Sequence, residues 1–192
     1  MKKLVLLAAL STFALSTAAV AGTCNGEFGW LGKGTAYNLD EGNFIFTGEF
    51  SGTLFNTDTS DPTHKMTVQC PGLWHVEGSE GTSNGVCIMK DAAGDKIFAT
   101  WAGTGTFPYT GGPFQITSGT GKFDGASGGG IFLGHTVAFD DGMNGMGYET
   151  WTECTYRSCS KPAIRSFFER LRSNGAFLFA NVSVQCAEAG IP

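Results

Sequence analysis

The chain has 192 residues, with 29 glycines, 16 phenylalanines, only 6 prolines and a formal net charge of −5. So much aromatic residue excludes a disordered chain, and so much glycine argues against a helical one, which leaves β architecture. Between Gly22 and Tyr156 there are 15 acidic residues, 5 lysines and no arginine, a balance that argues against nucleic acid as a partner, since phosphates demand basic surface.

The first residues read as an export signal. Lys2 and Lys3 precede an apolar run from Leu4 to about Val20, and Ala19-Val20-Ala21 supplies the small-residue site. Cleavage is expected after Ala21, so residues 1–21 are assigned to the signal peptide. No later apolar run approaches the ~20 residues needed to span a bilayer as a helix, and the product is expected to be exported, to the periplasm or beyond. All six cysteines (Cys24, Cys70, Cys87, Cys154, Cys159 and Cys186) fall after that point. An even set in an oxidising compartment favours disulfides, and the spacings lack the paired C-x-x-C of zinc sites, so no metal is expected.

Gly22 to Leu39 has little pattern beyond Trp30 and Tyr37, both read as packing residues. After a turn at Asp40-Glu41-Gly42-Asn43, Phe44, Phe46, Gly48, Phe50, Gly52 and Leu54 alternate with polar residues, the period of a half-buried strand. A polar loop follows (56–63), then a strand face at Met66, Val68 and Cys70 that Pro71-Gly72 is expected to stop. Leu73 to Glu77 reads as a separate short strand, and Glu80 to Asn84 as a loop. Cys70 ends one strand and Cys87 opens another across a short polar span, which predicts a Cys70–Cys87 disulfide.

Val86 to Met89 and Lys96 to Phe107 form a hairpin around Asp91-Ala-Ala-Gly-Asp95. Its two aspartates lack the further oxygen ligands and distal Glu of an EF-type calcium loop, so the segment is read as a turn. The second arm places Ile97, Ala99, Trp101, Gly103 and Gly105 on one face.

Ile116 to Gly130 (ITSGTGKFDGASGGG) holds six glycines in fifteen residues. It is not a phosphate loop: Ile116 stands five positions before Gly121 where glycine is required, Phe123 follows Lys122, and no helical pattern comes after. Glycines among strands mark bulges and corners, which a closed sheet needs. The stretch resembles the I-x-G-G-T-G-x-(F/Y)-x-G-A-x-G segment of the allene oxide cyclase and dirigent-like β-barrel family, above all its exported bacterial members. Ile116, Gly119, Thr120, Gly121, Lys122, Phe123, Gly125, Ala126 and Gly128 match, and Ser118 replaces the first glycine of the pair. With a weaker continuation back through Val86 to Gly105, the likeness covers about a third of the chain.

Ile131, Leu133, His135, Val137 and Phe139 share a face, and Met146 to Tyr156 is the next strand. About eight strands separated by turn signals predict an all-β fold, an antiparallel barrel over residues 22–156. Residues 157–192 read as a helix-strand extension. Ile164, Phe167, Phe168 and Leu171 recur at helical spacing between Pro162 and Ser173, and Leu178, Ala180, Val182 and Val184 follow at strand spacing. This extension contains every arginine of the chain and reads either as a covering element that closes one barrel mouth or as an extension outside the barrel pattern.

Alternation puts His135 on an apolar face, and Trp101 and Phe46 on inward faces. These three are expected to line one pocket, with His135 as its lone polar group, ready to orient a small apolar ligand. His75 and Glu77 share strand parity and form a second candidate pair, for acid–base work. There is no G-x-S-x-G elbow and no H-E-x-x-H helix. The favoured function is binding of a small apolar molecule without any cofactor. The resemblance implies the alternative of a cyclase or isomerase acting on a hydrophobic substrate. A filled structural barrel without ligand is the third reading, and association into oligomers stays open under all three.

Overall fold

A computed structural model describes residues 19–140 and 144–159. Nine strands are described: β1 (Ala19–Thr23), β2 (Gly26–Asp40), β3 (Asn43–Asn56), β4 (Thr67–Glu77), β5 (Glu80–Lys90), β6 (Lys96–Thr106), β7 (Tyr109–Gly119), β8 (Ser127–Asp140) and β9 (Asn144–Cys159). Every neighbouring pair is antiparallel, from β2–β3 through to β8–β9, and β9 pairs back onto β2. The result is a closed eight-stranded barrel. β1 is the additional strand, continuing the line of β2 along the same edge of β9, where Thr23 faces Thr155. Closure leaves no long free edge for pairing with other chains.

Three elements, β2, β4 and β5, differ from the sequence expectations. Pro71-Gly72 does not stop a strand: β4 runs through it, and Glu80 to Asn84 is the first half of β5 rather than a loop. Pro71 lacks an N–H, and the β4–β5 pairing is interrupted there, resuming at Gln69–Ile88 on one side and Gly72–Gly85 on the other. The Cys70–Cys87 disulfide bridges this gap, with Cα atoms 4.1 Å apart. Tyr37 is exposed rather than packed. β2 was hard to read because its inward positions alternate Phe28 and Trp30 with Gly26, Gly32 and Gly34, and glycine carries no hydrophobic signal. The expected helix at 162–173 and last strand at 178–186 lie outside the described residues.

The glycine-rich stretch forms the β7–β8 connection. Gly121–Phe123 make one 3-10 turn that tucks Phe123 completely into the core. Lys122 reaches the β5–β6 turn, its Nζ 2.6 Å from Asp91 Oδ2, and its backbone N–H donates to Asp95. The Asp91–Asp95 turn is therefore closed by a lysine. Burial works to raise the Asp91 carboxyl, but Lys122 and the Asp95 N–H outweigh it and hold the pKa below the ordinary range.

The barrel's two ends are filled differently. Phe28, Leu54, Met66, Met89, Ile97 and Phe123 are fully buried at the end carrying the 56–66 loop. Asn56 closes it by donating to Thr63 Oγ1 (2.7 Å), and the Tyr156 hydroxyl donates to Asp61 (3.1 Å). Burial, with the Asp61 carboxylate beside it, pushes the Tyr156 pKa upward, so this hydroxyl stays a donor. The opposite half is aromatic, built from Trp30, Phe46, Phe50, Trp74, Trp101 and Phe132.

Candidate functional site

The aromatic half encloses a cavity of about 40 Å3, lined by Trp30, Phe50, Trp74, Trp101, Phe132, Trp151 and Glu149, with Ser83, Thr110 and Thr136 as small polar groups. The rings meet edge to face: Trp30 on Phe50 at 5.1 Å, Phe50 on Trp101 at 6.2 Å, Trp101 on Phe132 at 6.0 Å. Such pairs are worth about 0.5–1.5 kcal/mol each beyond burial. Inward glycines make room for them. A Cβ on Gly72 would stand 2.5 Å from the Trp101 ring, and one on Gly147 would strike Trp30. Gly72 and Gly147 thus make room for large rings in a narrow barrel.

Glu149 is the carboxylate of this cavity, carried on β9 two residues before Trp151. Part of the residue meets solvent, but its carboxyl end is desolvated, which raises its pKa to about 7. The Trp151 Nε1–H donates to Oε2 at 3.0 Å and works in the opposite direction. None of the described residues that line the cavity is basic, so among the described residues the charge of Glu149 has no ammonium or guanidinium beside it there. The buried indole Nε1–H groups of Trp30 and Trp101 meet no acceptor among the described residues. A carboxyl that changes protonation near neutrality thus shares an apolar cavity with unused donors, an arrangement suited to orienting a guest that has a polar end.

The expected trio is divided. Trp101 lines the cavity. Phe46 is completely buried but belongs to the neighbouring cluster with Trp74 and Val76, and Phe50 stands between it and the cavity, 5.7 Å away. His135 is outside. β8 turns Phe132, Gly134 and Thr136 inward and Ile131, Leu133, His135 and Val137 outward. On the outer wall His135 stacks on Tyr109 at 4.5 Å, and its Nδ1 lies 3.1 Å from the Tyr148 hydroxyl. The expectation failed because the outer face of β8 is more apolar than its inner face, inverting the usual sign of alternation.

His75 and Glu77 also sit on the outer wall, 3.6 Å apart, too far for a hydrogen bond. Sequence reasoning missed Glu149 for the reason it misplaced His135. Along β9, Met146 and Tyr148 look like core while Gly145, Gly147 and Glu149 look like surface. The usable signal was Trp151, which shares the parity of Glu149. Past Trp151 the parity changes: Glu153 has a positive φ of 53°, and beyond it Cys154 and Tyr156 point inward.

No protein-family model and no curated protein matches this sequence. Among solved structures, that of a pterocarpan synthase dirigent protein is similar, with a TM-score of 0.42 and 10% identity over 77% of this chain and 89% of that one.

Proposed function

We propose that this barrel binds a small, largely apolar molecule in its aromatic half, through one polar end held by Glu149. The observation that carries the reading is a carboxyl with a pKa of about 7 among four tryptophans. A carboxyl without a cationic partner costs stability in a core, and a fold gains nothing structural from it that Gln or Leu would not supply. Below that pKa Glu149 donates to a carbonyl or carboxylate; above it, the carboxylate accepts from a hydroxyl. Trp101 supplies apolar wall, and its Nε1–H and that of Trp30 are further donors. His135 has no part in this site. A chain of this kind is exported, with processing after Ala21 that would leave only Gly22 and Thr23 of β1, and the two disulfides among the described residues are in keeping with an oxidising compartment.

The cavity volume favours a second reading. About 40 Å3 accommodates a few waters, whereas drug-sized ligands occupy a few hundred Å3, so an unliganded, filled barrel is the competitor. Native mass spectrometry of the protein purified from its own cells separates the two. The binding reading expects an adduct of small organic mass that is lost in Glu149→Gln without any fall in melting temperature. Absence of any adduct, together with unchanged tryptophan fluorescence on titration with apolar carboxylic acids and phenols, would leave the filled barrel. An adduct retained in Glu149→Gln would remove Glu149 from the site.

A further inference from the structure

The cavity of the aromatic half carries one sign of charge. Among the described residues that line it, Glu149 is the one ionisable side chain, since Cys70 and Cys87 are bonded to each other. On β2 and β8, Phe28 and Gly134 stand opposite Glu149 in the register. The neighbouring titratable groups, Tyr148 and His135, meet each other on the outer wall. The rim repeats the sign. The β2–β3 and β4–β5 turns at this end carry Asp40, Glu41, Glu77 and Glu80, all exposed. Of the basic residues described, Lys65, Lys90, Lys96, Lys122 and Arg157 lie at the other end, and Lys33 is on the outer wall between Glu49 and Asn144.

Resting on the reading that Glu149 holds the guest, we propose that the guest's polar end is an organic cation, a protonated amine or a quaternary ammonium. A carboxylate guest would bring a like charge into the same desolvated space, and a hydroxyl would leave the Glu149 charge without a counter-ion. An ammonium removes that cost, because a buried charge is tolerated when it is paired. The rings act in the same direction. Neighbouring centroids from Trp30 through Phe50 and Trp101 to Phe132 are 5.1 to 6.2 Å apart. A guest among them is within about 6 Å of several rings, the range over which a ring face attracts a cation. The cavity of about 40 Å3 has the bulk of a few waters, enough for one small alkylammonium group, and the solvent contact of Glu149 lets the rest of the molecule extend outward. The Trp30 and Trp101 N–H groups, which meet no acceptor among the described residues, donate to an oxygen of the same guest, as in an amino alcohol. The acidic rim raises the local concentration of a cation before it enters.

Calorimetric titration of the full-length chain with two matched pairs of probes tests this. Choline is compared with the alcohol in which carbon replaces its quaternary nitrogen, and benzylamine with benzyl alcohol. At pH 8 each cation should bind at least about tenfold more tightly than its neutral partner. Binding should weaken about thirtyfold at pH 5.5, where Glu149, with its pKa of about 7, is mostly protonated while both cations keep their charge. In Glu149→Gln, with its fold checked by circular dichroism, the preference for charge and the pH dependence should both be lost. A neutral probe that binds as tightly as its cation overturns the proposal, and its loss in Glu149→Gln would still leave Glu149 as the anchor of an apolar guest. Cation binding that keeps its strength in Glu149→Gln overturns it as well. If none of the four binds up to about 10 mM but apolar carboxylic acids do, the guest is an acid and the cation is wrong. If those acids also fail to bind and native protein carries no adduct, the binding reading falls with it.

Discussion

Glu149 couples the cavity to pH. Its folded pKa of about 7 lies above the 4.5 of an unperturbed glutamate, so the folded state holds a proton that the unfolded state has released. Stability is then full below about pH 4.5 and falls as the pH rises through 7. The drop should be roughly 1–3 kcal/mol, the lower part of the range reflecting the partial solvent contact of this residue. Urea unfolding between pH 5 and 8 should show it, and Glu149→Gln should flatten the curve over that window. At the same scale, Gly128 has φ 139°, and a Cβ there would collide with the Thr155 carbonyl oxygen of β9. Backbone cannot move aside as a side-chain end can, so Gly128→Ala should cost about 2–4 kcal/mol in chemical denaturation. Trp101→Ala removes a ring that touches both Phe50 and Phe132 and should cost about 3–5 kcal/mol.

Among elements, the two disulfides of the described residues do unequal work. Cys70–Cys87 joins adjacent strands 17 residues apart, across the gap that Pro71 leaves in the β4–β5 ladder. Cys24–Cys154 spans 130 residues and fastens the junction of β1 and β2 to β9. There the Cys24 N–H also donates to the Cys154 carbonyl (3.2 Å), and the Cys154 N–H donates to Asn25 Oδ1 (2.8 Å). On loop-closure entropy the first bond contributes about 3 kcal/mol and the second about 5. Replacing each pair by serine should therefore lower the denaturation midpoint more for Cys24/Cys154 than for Cys70/Cys87. The opposite order would mean that the Pro71 gap needs its bridge more than the barrel needs its closure.

The described residues form a sheet closed by pairing β9 with β2, Gly26 with Trp151 and Lys33 with Asn144. No local segment can form that contact, so folding must bring the chain ends together before the barrel is complete. Refolding of the disulfide-intact protein should be fast relative to the reduced one, since Cys24–Cys154 holds the closing strands together in the unfolded chain. The reduced chain should refold in the milliseconds-to-seconds range of non-local β topologies. Stopped-flow tryptophan fluorescence would measure both, the tryptophans being mostly in the barrel interior.

Much of this molecule was legible before any coordinates. Composition and period-two runs such as Phe44 to Leu54 determine an antiparallel, glycine-kinked barrel, because alternation is a local property that burial of one face imposes on every strand. The glycine-rich stretch marks a strand–strand connection for the same local reason. Which face of β8 and β9 points inward was decided only by the tertiary structure. There the outer residues Leu133, Val137, Met146 and Tyr148 are as apolar as any core, and the inner ones, apart from Phe132 and Trp151, are glycines, Thr136 and Glu149. Hydrophobicity alone assigns those two strands the wrong way round. Register with β2 and β7, together with the positive φ of Glu153 that flips the last third of β9, sets them right, and neither can be seen from one strand at a time.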